Sequence, residues 1–264
     1  MDYKKRTAPK ERGDENQQTT DLIEGRNAVL EALRAGRTVD KVYLASGSTD
    51  RALDRIAALA KQAGAVVVSA DRRKLDAMSA TGTHQGVIAA VAAHTYCTLE
   101  ALLDTAKQRN EAPLLVLCDE LADPHNLGAI IRTAECAGAH GVVITKRRSV
   151  GLTAVVDKSA AGALEYMPVA RVTNLTQAIQ TLKKMGVWVY DAAMDGQSTI
   201  YEADFAGPTA IVIGSEGFGM SRLVEEQCDV KVRIPMKGKI TSLNASAAAA
   251  VLLYEAVRQR RTTF

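Results

Sequence analysis

Three stretches of this 264-residue chain hold polar residues and glycines that packing alone does not require. The first, 119–126, runs into Leu127-Gly128-Ala129-Ile130-Ile131-Arg132-Thr133. Asn126 stands where a helix cap would, and Arg132 follows on an otherwise apolar helical run. The second is Gly214-Ser215-Glu216-Gly217-Phe218-Gly219, directly after the apolar run 210–213. Its glycines let backbone approach a ligand closely, and Glu216 is an acid where a turn needs none. The third runs from Ile234 through Met236 and Leu243 to Ser246, and offers the hydroxyls and amide of Ser242, Asn244 and Ser246 just before an alanine run. The chemistry on offer is the binding and orientation of a ligand by amides, hydroxyls, a guanidinium, a carboxylate and bare backbone. Singly, each stretch has a plainer account: a cap and a structural charge, a turn, and a closely packed terminal helix. The ordered trio is harder to explain that way.

These stretches need a frame that gathers them. Leu114-Leu115-Val116-Leu117-Cys118 is a continuous apolar run of the kind buried on both faces of a sheet. The same patterning predicts strands at 141–145, 187–191, 209–213 and 230–234, with helices at 127–139, 174–185, 220–228 and 244–260. Such alternation implies an α/β fold with a mostly parallel sheet and helices on both faces. Ligands then bind beyond the carboxyl ends of the strands, where the three stretches fall.

Upstream, a helix over 26–35 stopped by Gly36, a strand over 39–45, a helix capped by Asp50 and ending at Gly64, a strand over 65–69, a short helix after Asp71 and a strand over 86–92 make a small α/β unit. The predicted organisation is a mobile arm over 1–20, which is nearly devoid of large apolar side chains, then a domain at 21–95, a linker at 96–112 and a second domain at 113–264. The linker should hold one helix, 99–108.

Composition excludes several classes. At 47% hydrophobic and 24% charged, with no run near the roughly 18 apolar residues of a membrane span, the chain reads as a globular protein without membrane partners. Lys4, Lys5 and Arg6 are followed by no apolar segment, so no secretory signal is expected and the cytoplasm is the default location. Cys97, Cys118, Cys136 and Cys228 form no CxxC pair, which argues against zinc or a redox couple, and no metal is expected. Three Phe and one Trp are too few for RNA binding by aromatic stacking. The net charge of +3 decides nothing about partners, although Arg72-Arg73-Lys74, Lys146-Arg147-Arg148 and the set Lys231, Arg233, Lys237 and Lys239 are local candidates for phosphate contact.

In order and spacing the three stretches resemble the motifs of the SpoU (TrmH) group of SPOUT RNA methyltransferases. Asn126-Leu-Gly-Ala-Ile-Ile-Arg132-Thr-Ala, Gly214-Ser-Glu216-Gly-Phe-Gly219 and Ile234-Pro-Met-Lys-Gly-Lys-Ile-Thr-Ser-Leu-Asn244-Ala-Ser246 carry the likeness across 113–264. Ala245 stands where the family often has Val. The preceding region, with Ile23-Glu-Gly-Arg-Asn-Ala-Val29 and His84-Gln-Gly-Val87, resembles the ribosomal-protein-like substrate-binding domain of the branch that methylates guanosine 2'-hydroxyls in large-subunit ribosomal RNA. The resemblance implies a deep C-terminal trefoil knot, a homodimer in which the knotted regions face each other, and S-adenosyl-L-methionine bent into the knot. The backbones around Gly214, Ile234, Met236 and Leu243 would hold that cofactor. A Rossmann methyltransferase is the fold-level competitor, but no GxGxxG follows an early strand.

For the chemistry, the resemblance implies that the protein orients a ribose 2'-hydroxyl against an already activated methyl group and removes a proton, with no metal. His125 would be the usual base, yet the family motif gives the role to Arg132. A guanidinium normally keeps its proton, so Arg132 is expected to bind substrate phosphate and to position or deprotonate the hydroxyl. Asn126, Glu216, Ser242 and Asn244 would orient it, the ribose or the cofactor. Competing functions are a transfer RNA ribose methyltransferase of the same group, a cofactor-free RNA-binding protein and a base methyltransferase. The extra domain at 21–95 favours ribosomal RNA, and the intact polar set argues for an enzyme.

Overall fold

A computed structural model describes residues 22–47, 50–215 and 219–260. The arm expected over 1–20 lies outside the described residues. The first unit contains β1 (Leu22–Glu24), α1 (Arg26–Arg34), β2 (Val39–Ala45), α2 (Arg51–Gln62), β3 (Val66–Ala70), α3 (Arg72–Met78) and β4 (Val87–Val91). Its strands lie in the order β1-β4-β2-β3, with β4 antiparallel to β1 and β2, and β2 parallel to β3. Local chemistry sets the helix starts. Asp50 accepts from Ala52 N at 2.9 Å and Asp71 from Lys74 N at 2.7 Å, satisfying N–H groups that a first turn leaves unpaired. Leu53, Ile56 and Ala60 then share the face of α2 that meets Val29, Val42 and Val87 in the core.

The second unit contains α4 (Leu99–Gln108), β5 (Leu114–Cys118), α5 (Pro124–Cys136), β6 (Gly141–Thr145), α6 (Ala154–Ala160), β7 (Val169–Val172), α7 (Leu175–Lys184), β8 (Trp188–Ala192), β9 (Ser198–Thr199), β10 (Thr209–Ile213), α8 (Arg222–Glu225), β11 (Val230–Arg233) and α9 (Ala245–Arg260). Seven strands lie in the order β7-β6-β5-β10-β8-β11-β9, and every pairing is parallel. β5, β6 and β10 are buried along their whole length. Leu114, Val116, Ile211 and Ile213 face α5, α6 and α9, whereas Leu115, Leu117 and Val212 face α4 and α7. The expected α/β layering, with helices on both faces, is what the chain adopts.

Some elements differ from expectation. The segment 96–112 holds α4 as predicted, but α4 packs on the larger sheet. Leu102 is fully buried there, and a Cβ on Gly141 would stand 2.4 Å from it. The helix predicted over 220–228 is only α8, and α6, β7 and β9 were not predicted. α6 has seven residues, too few for a helical period to declare itself. It packs tightly on α5 at Gly128, where a Cβ would fall 2.4 Å from Ser159 Cβ and 2.7 Å from Val156 O. Among the described residues no helix is long and apolar enough to cross a membrane.

One buried group is at odds with its surroundings. Asp191, near the carboxyl end of β8, is 1% exposed, and neither carboxylate oxygen has a hydrogen-bond partner among the described residues. Burial, reinforced by Glu225, pushes its pKa up to about 6, with Lys231 opposing and Asp195 adding to the rise. A raised carboxyl ionises more readily in the unfolded chain. Its contribution to stability is therefore complete below about pH 4 and is lost as the pH rises through about 6. Asp191→Asn should remove that loss: between about pH 4 and 7.5 the stability of the variant relative to wild type should rise by about 2–3 kcal/mol. Urea denaturation at the two pH values measures this, and parallel pH profiles for the two proteins would refute it.

Candidate active site

The three polar stretches follow β5, β10 and β11, whose carboxyl ends lie on one rim of the parallel sheet. β5 and β10 are direct neighbours, and β8 separates β10 from β11. Two hydrogen bonds join the loops. Asp119, just past β5 and 3% exposed, accepts from Ser221 N at 2.8 Å and so ties down the far end of the glycine-rich stretch. Asn244 donates through Nδ2 to Asn126 Oδ1 at 3.0 Å, binding the third stretch to α5. Sequence reasoning singled out Asn126 and Asn244 but passed over Asp119. Its only signal was an acid placed at the end of a fully apolar strand.

Asn126 is not the helix cap that its position suggested. α5 begins two residues earlier at Pro124, and Asp123 caps it by accepting from His125 N at 3.0 Å. Proline suits a first helical position, where its missing N–H is not needed. Asn126 therefore sits inside the first turn, 5% exposed, with its amide turned to Asn244. Asn244 is itself the cap of α9: its Oδ1 accepts from Ser246 N at 3.0 Å, Ser246 Oγ at 2.6 Å and Ala247 N at 3.4 Å. One asparagine thus starts the last helix and fixes it to the first loop.

Arg132 lies six residues beyond Asn126 on α5, about 9 Å further along the axis and roughly a third of a turn around it. It is exposed and without a partner among the described residues, so the structure does not bring it against Asn126. Its guanidinium faces solvent. His125 is held instead, its Nδ1 lying 3.1 Å from Ser159 Oγ on α6. Ser242 is exposed with no hydrogen bond among the described residues. Glu216, with Gly217 and Phe218, lies outside the described residues.

The stretches around the expected cofactor positions are built for close approach. Ser215 and Gly219 exchange backbone hydrogen bonds of 2.9 and 3.0 Å, closing a tight loop. A Cβ on Gly214 would sit 2.5 Å from Gly219 C and Met220 N, so only glycine fits. In the third stretch Met236, Ile240 and Leu243 are exposed apolar side chains, and Ile234 is half-buried. Bare glycine backbone and uncovered apolar side chains suit a ligand with a flat apolar part and polar edges. Of the nearby cations, Lys231 pairs with Glu225, and Arg233 donates to the carbonyls of Gly196 and Gln197 at 2.7 and 3.3 Å. Lys237 and Lys239 are exposed and have no partner among the described residues. Arg148 is paired with Glu120 at 2.7 Å.

A second polar surface lies on the small unit, where its two sequence motifs meet. Arg26 Nε donates to Gln85 O at 3.0 Å, Gln85 Oε1 accepts from Arg26 N at 3.2 Å, and the Arg26 guanidinium pairs with Asp50 at 2.6 Å. A groove of about 510 Å³ beside this corner is lined by Arg26, Asn27, Leu30, Arg51, Arg55 and Ile56. Arg51 and Arg55 are one turn apart on α2 and have no acidic partner among the described residues. Such a like-charged pair costs a helix a few tenths of a kcal/mol. Arg72 lines an adjoining cavity with Arg26 and Gln85, so of the triplet 72–74 one member faces this surface.

Comparison with known proteins gives this geometry a context. Residues 113–254 match the SpoU rRNA Methylase family, and residues 22–97 match the family of RNA 2'-O ribose methyltransferase substrate binding domains. YacO of Bacillus subtilis, assigned to the TrmH family of tRNA/rRNA methyltransferases, is 47% identical over 243 residues, covering 92% of this chain and 97% of its own. The 23S rRNA (guanosine-2'-O-)-methyltransferase RlmB of Ralstonia nicotianae is 44% identical, covering 90% of this chain and 96% of its own. The crystal structure of the SpoU methyltransferase AviRb from Streptomyces viridochromogenes in complex with AdoMet superposes with a TM-score of 0.58 at 26% identity, covering 95% of this chain and 96% of its own. The chain belongs to the SpoU methylase family and is an RNA 2'-O-methyltransferase.

Proposed function

We propose that this enzyme transfers a methyl group from S-adenosyl-L-methionine to the 2'-hydroxyl of a guanosine in large-subunit ribosomal RNA, in the cytoplasm and as a homodimer. The observation that carries the reading is the rim itself: the Asn126–Asn244 bond draws the first and third loops together, beside a glycine-only close approach at Gly214. When bound, S-adenosylmethionine supplies a methyl carbon already activated by its sulfonium. The residues present fit it: backbone around Gly214, Ile234, Met236 and Leu243 would hold it, with uncovered apolar side chains against its ring. Asn126 and Asn244 set the loop positions, and Ser242 and Glu216 complete the polar set. Arg132, unpaired and exposed, grips the substrate phosphate and positions the ribose hydroxyl for loss of its proton. Lys237 and Lys239 add charge at the same edge.

Two features of the chain support the homodimer and the ribosomal target. α9 exposes Ala247, Val251, Tyr254 and Arg258 along one stripe at helical spacing, with Val251 37% and Tyr254 50% exposed, a face that a second copy would cover. The trefoil knot belongs to the same reading. The small unit, with its unpaired arginines, gives RNA a second foothold away from the reacting atoms.

Titration calorimetry should show saturable binding of S-adenosylmethionine, and sedimentation should show a dimer. No cofactor binding by a dimeric protein would overturn the reading. Arg132→Ala should keep cofactor affinity while lowering turnover on the order of 10²–10⁴-fold, the range for a lost acid–base group. Near-normal turnover would return Arg132 to a structural role.

Arg51→Ala with Arg55→Ala should leave cofactor binding intact, weaken binding to a large-subunit rRNA fragment, and lower the salt dependence of that binding by about 1.4–1.8 in log–log slope for two lost phosphate contacts. An unchanged slope would remove this groove from the RNA path. Equal methylation of a whole transfer RNA and the rRNA fragment at one salt concentration would remove the ribosomal assignment.

A further inference from the structure

A buried charge cluster lies where the two units meet. Asp40 on β2 of the small unit and Arg171 on β7 of the large one form an ion pair whose side chains are 7% and 8% exposed. Tyr96, from the segment that joins the units, completes it. Its hydroxyl donates to Asp40 Oδ2 at 3.0 Å and accepts from Leu152 N at 2.9 Å, while the Arg171 guanidinium lies over its ring at 4.3 Å. Burial pushes the Tyr96 phenol up, so it stays protonated and available as a donor. Gly151 is needed beside them, because a Cβ there would stand 1.9 Å from Asp40 Oδ2 and 3.0 Å from Tyr96 Oη.

Backbone contacts seat the same four segments. Ala92 N donates to Thr38 O at 2.9 Å, Ala93 N to Leu152 O at 2.6 Å and Cys97 N to Val169 O at 2.9 Å. His94 Nε2 lies 3.1 Å from Asp157 Oδ1 on α6.

We propose that Asp40, Arg171 and Tyr96 form a clasp that holds the RNA-binding unit in one orientation against the catalytic unit, and that this orientation sets the enzyme's affinity for its RNA. An apolar contact would hold the units together in many relative angles. A carboxylate gripped by a guanidinium and a phenol, out of water, has a demanding geometry, and any rotation that separates the partners leaves charges buried and unpaired. Such a pair therefore specifies an arrangement more than it adds cohesion.

The consequence for RNA is one of preorganisation. The arginine groove and the rim formed by the three loops lie on different units, so an RNA that touches both binds tightly only if their spacing is already correct. Asp40, Arg171 and Tyr96 touch none of the reacting groups and act as positioning residues. The functional half of the proposal rests on the ribose methyltransferase reading; the orientational half does not.

The test compares the full-length wild type with Asp40→Ala and Tyr96→Phe by small-angle X-ray scattering, cofactor titration and steady-state methylation of a large-subunit rRNA fragment. Loss of the clasp should broaden the intraparticle pair-distance distribution of Asp40→Ala and raise its KM for RNA roughly tenfold or more, while kcat at saturating RNA and cofactor affinity stay within about twofold. Tyr96→Phe, which keeps the ring and loses only the hydroxyl, should fall between. A scattering profile of Asp40→Ala that superimposes on wild type, or a fall in kcat with KM unchanged, would overturn the proposal. Should Asp40→Ala lose cofactor binding and hence its fold, Tyr96→Phe decides by the same two criteria. If the wild type methylates no RNA, the ribose reading fails by itself and the scattering comparison still decides the clasp.

Discussion

The hydrogen bond from Asn244 to Asn126 joins residues 118 positions apart, and the geometry of the rim depends on it. Asn126 is buried, and an amide withdrawn from water without a partner would cost about 1–3 kcal/mol. Its partner is the residue that caps α9. One side chain therefore does both jobs, its Oδ1 starting the last helix and its Nδ2 fixing the third loop against α5. Asp119, accepting from Ser221 N, does the same for the loop after β10. These two bonds join the three loops into one surface.

Rigidity behind the rim comes from the sheet. β5 and β10 are neighbours buried on both faces, so the strands from which the first and second loops leave have no freedom to shift. On one face α5 is locked against α6 by the close approach at Gly128, and α9 packs beside it. At the far end of α9, Arg260 donates to the carbonyls of Phe205, Gly207, Ala112 and Pro113, anchoring the helix to the start of β5 and the loop before β10. The helix that Asn244 starts is thus tied down at both ends. The exception to this order is Asp191, a carboxyl kept from water near the end of β8 without a hydrogen bond among the described residues.

The positive charges divide into two kinds. Arg171, Arg233, Lys231, Arg148 and Arg26 are engaged with acids or backbone carbonyls and belong to the architecture. Arg132 on α5, Lys237 and Lys239 on the rim, and Arg51 and Arg55 on the small unit have no such partners among the described residues. Net charge alone conceals this division, since +3 on a chain of 264 residues says little. A polyanion reads only the unpaired set, because a guanidinium already satisfied by a carboxylate has little left to offer.

By itself the sequence determined the layered α/β class, most of the strands and helices, and the three loops of the candidate site. Continuous apolar runs such as 114–118, helical periodicity and caps such as Asp50 and Asp71 are local properties, and local physics decides them. The family motifs could be read for the same reason, because each is contiguous. Asn126 shows where local reading ends. Asp123 and Pro124 start the helix, and the asparagine's partner lies at the other end of the catalytic unit. The short helix α6, the packing of α4 on the larger sheet, the role of Asp119 and the Asp40–Arg171–Tyr96 cluster were equally hidden. Each depends on a contact between residues far apart in the chain, and such contacts leave no periodic trace in sequence. Only the folded chain decides which charges are paired, which amides are buried and which glycines are indispensable.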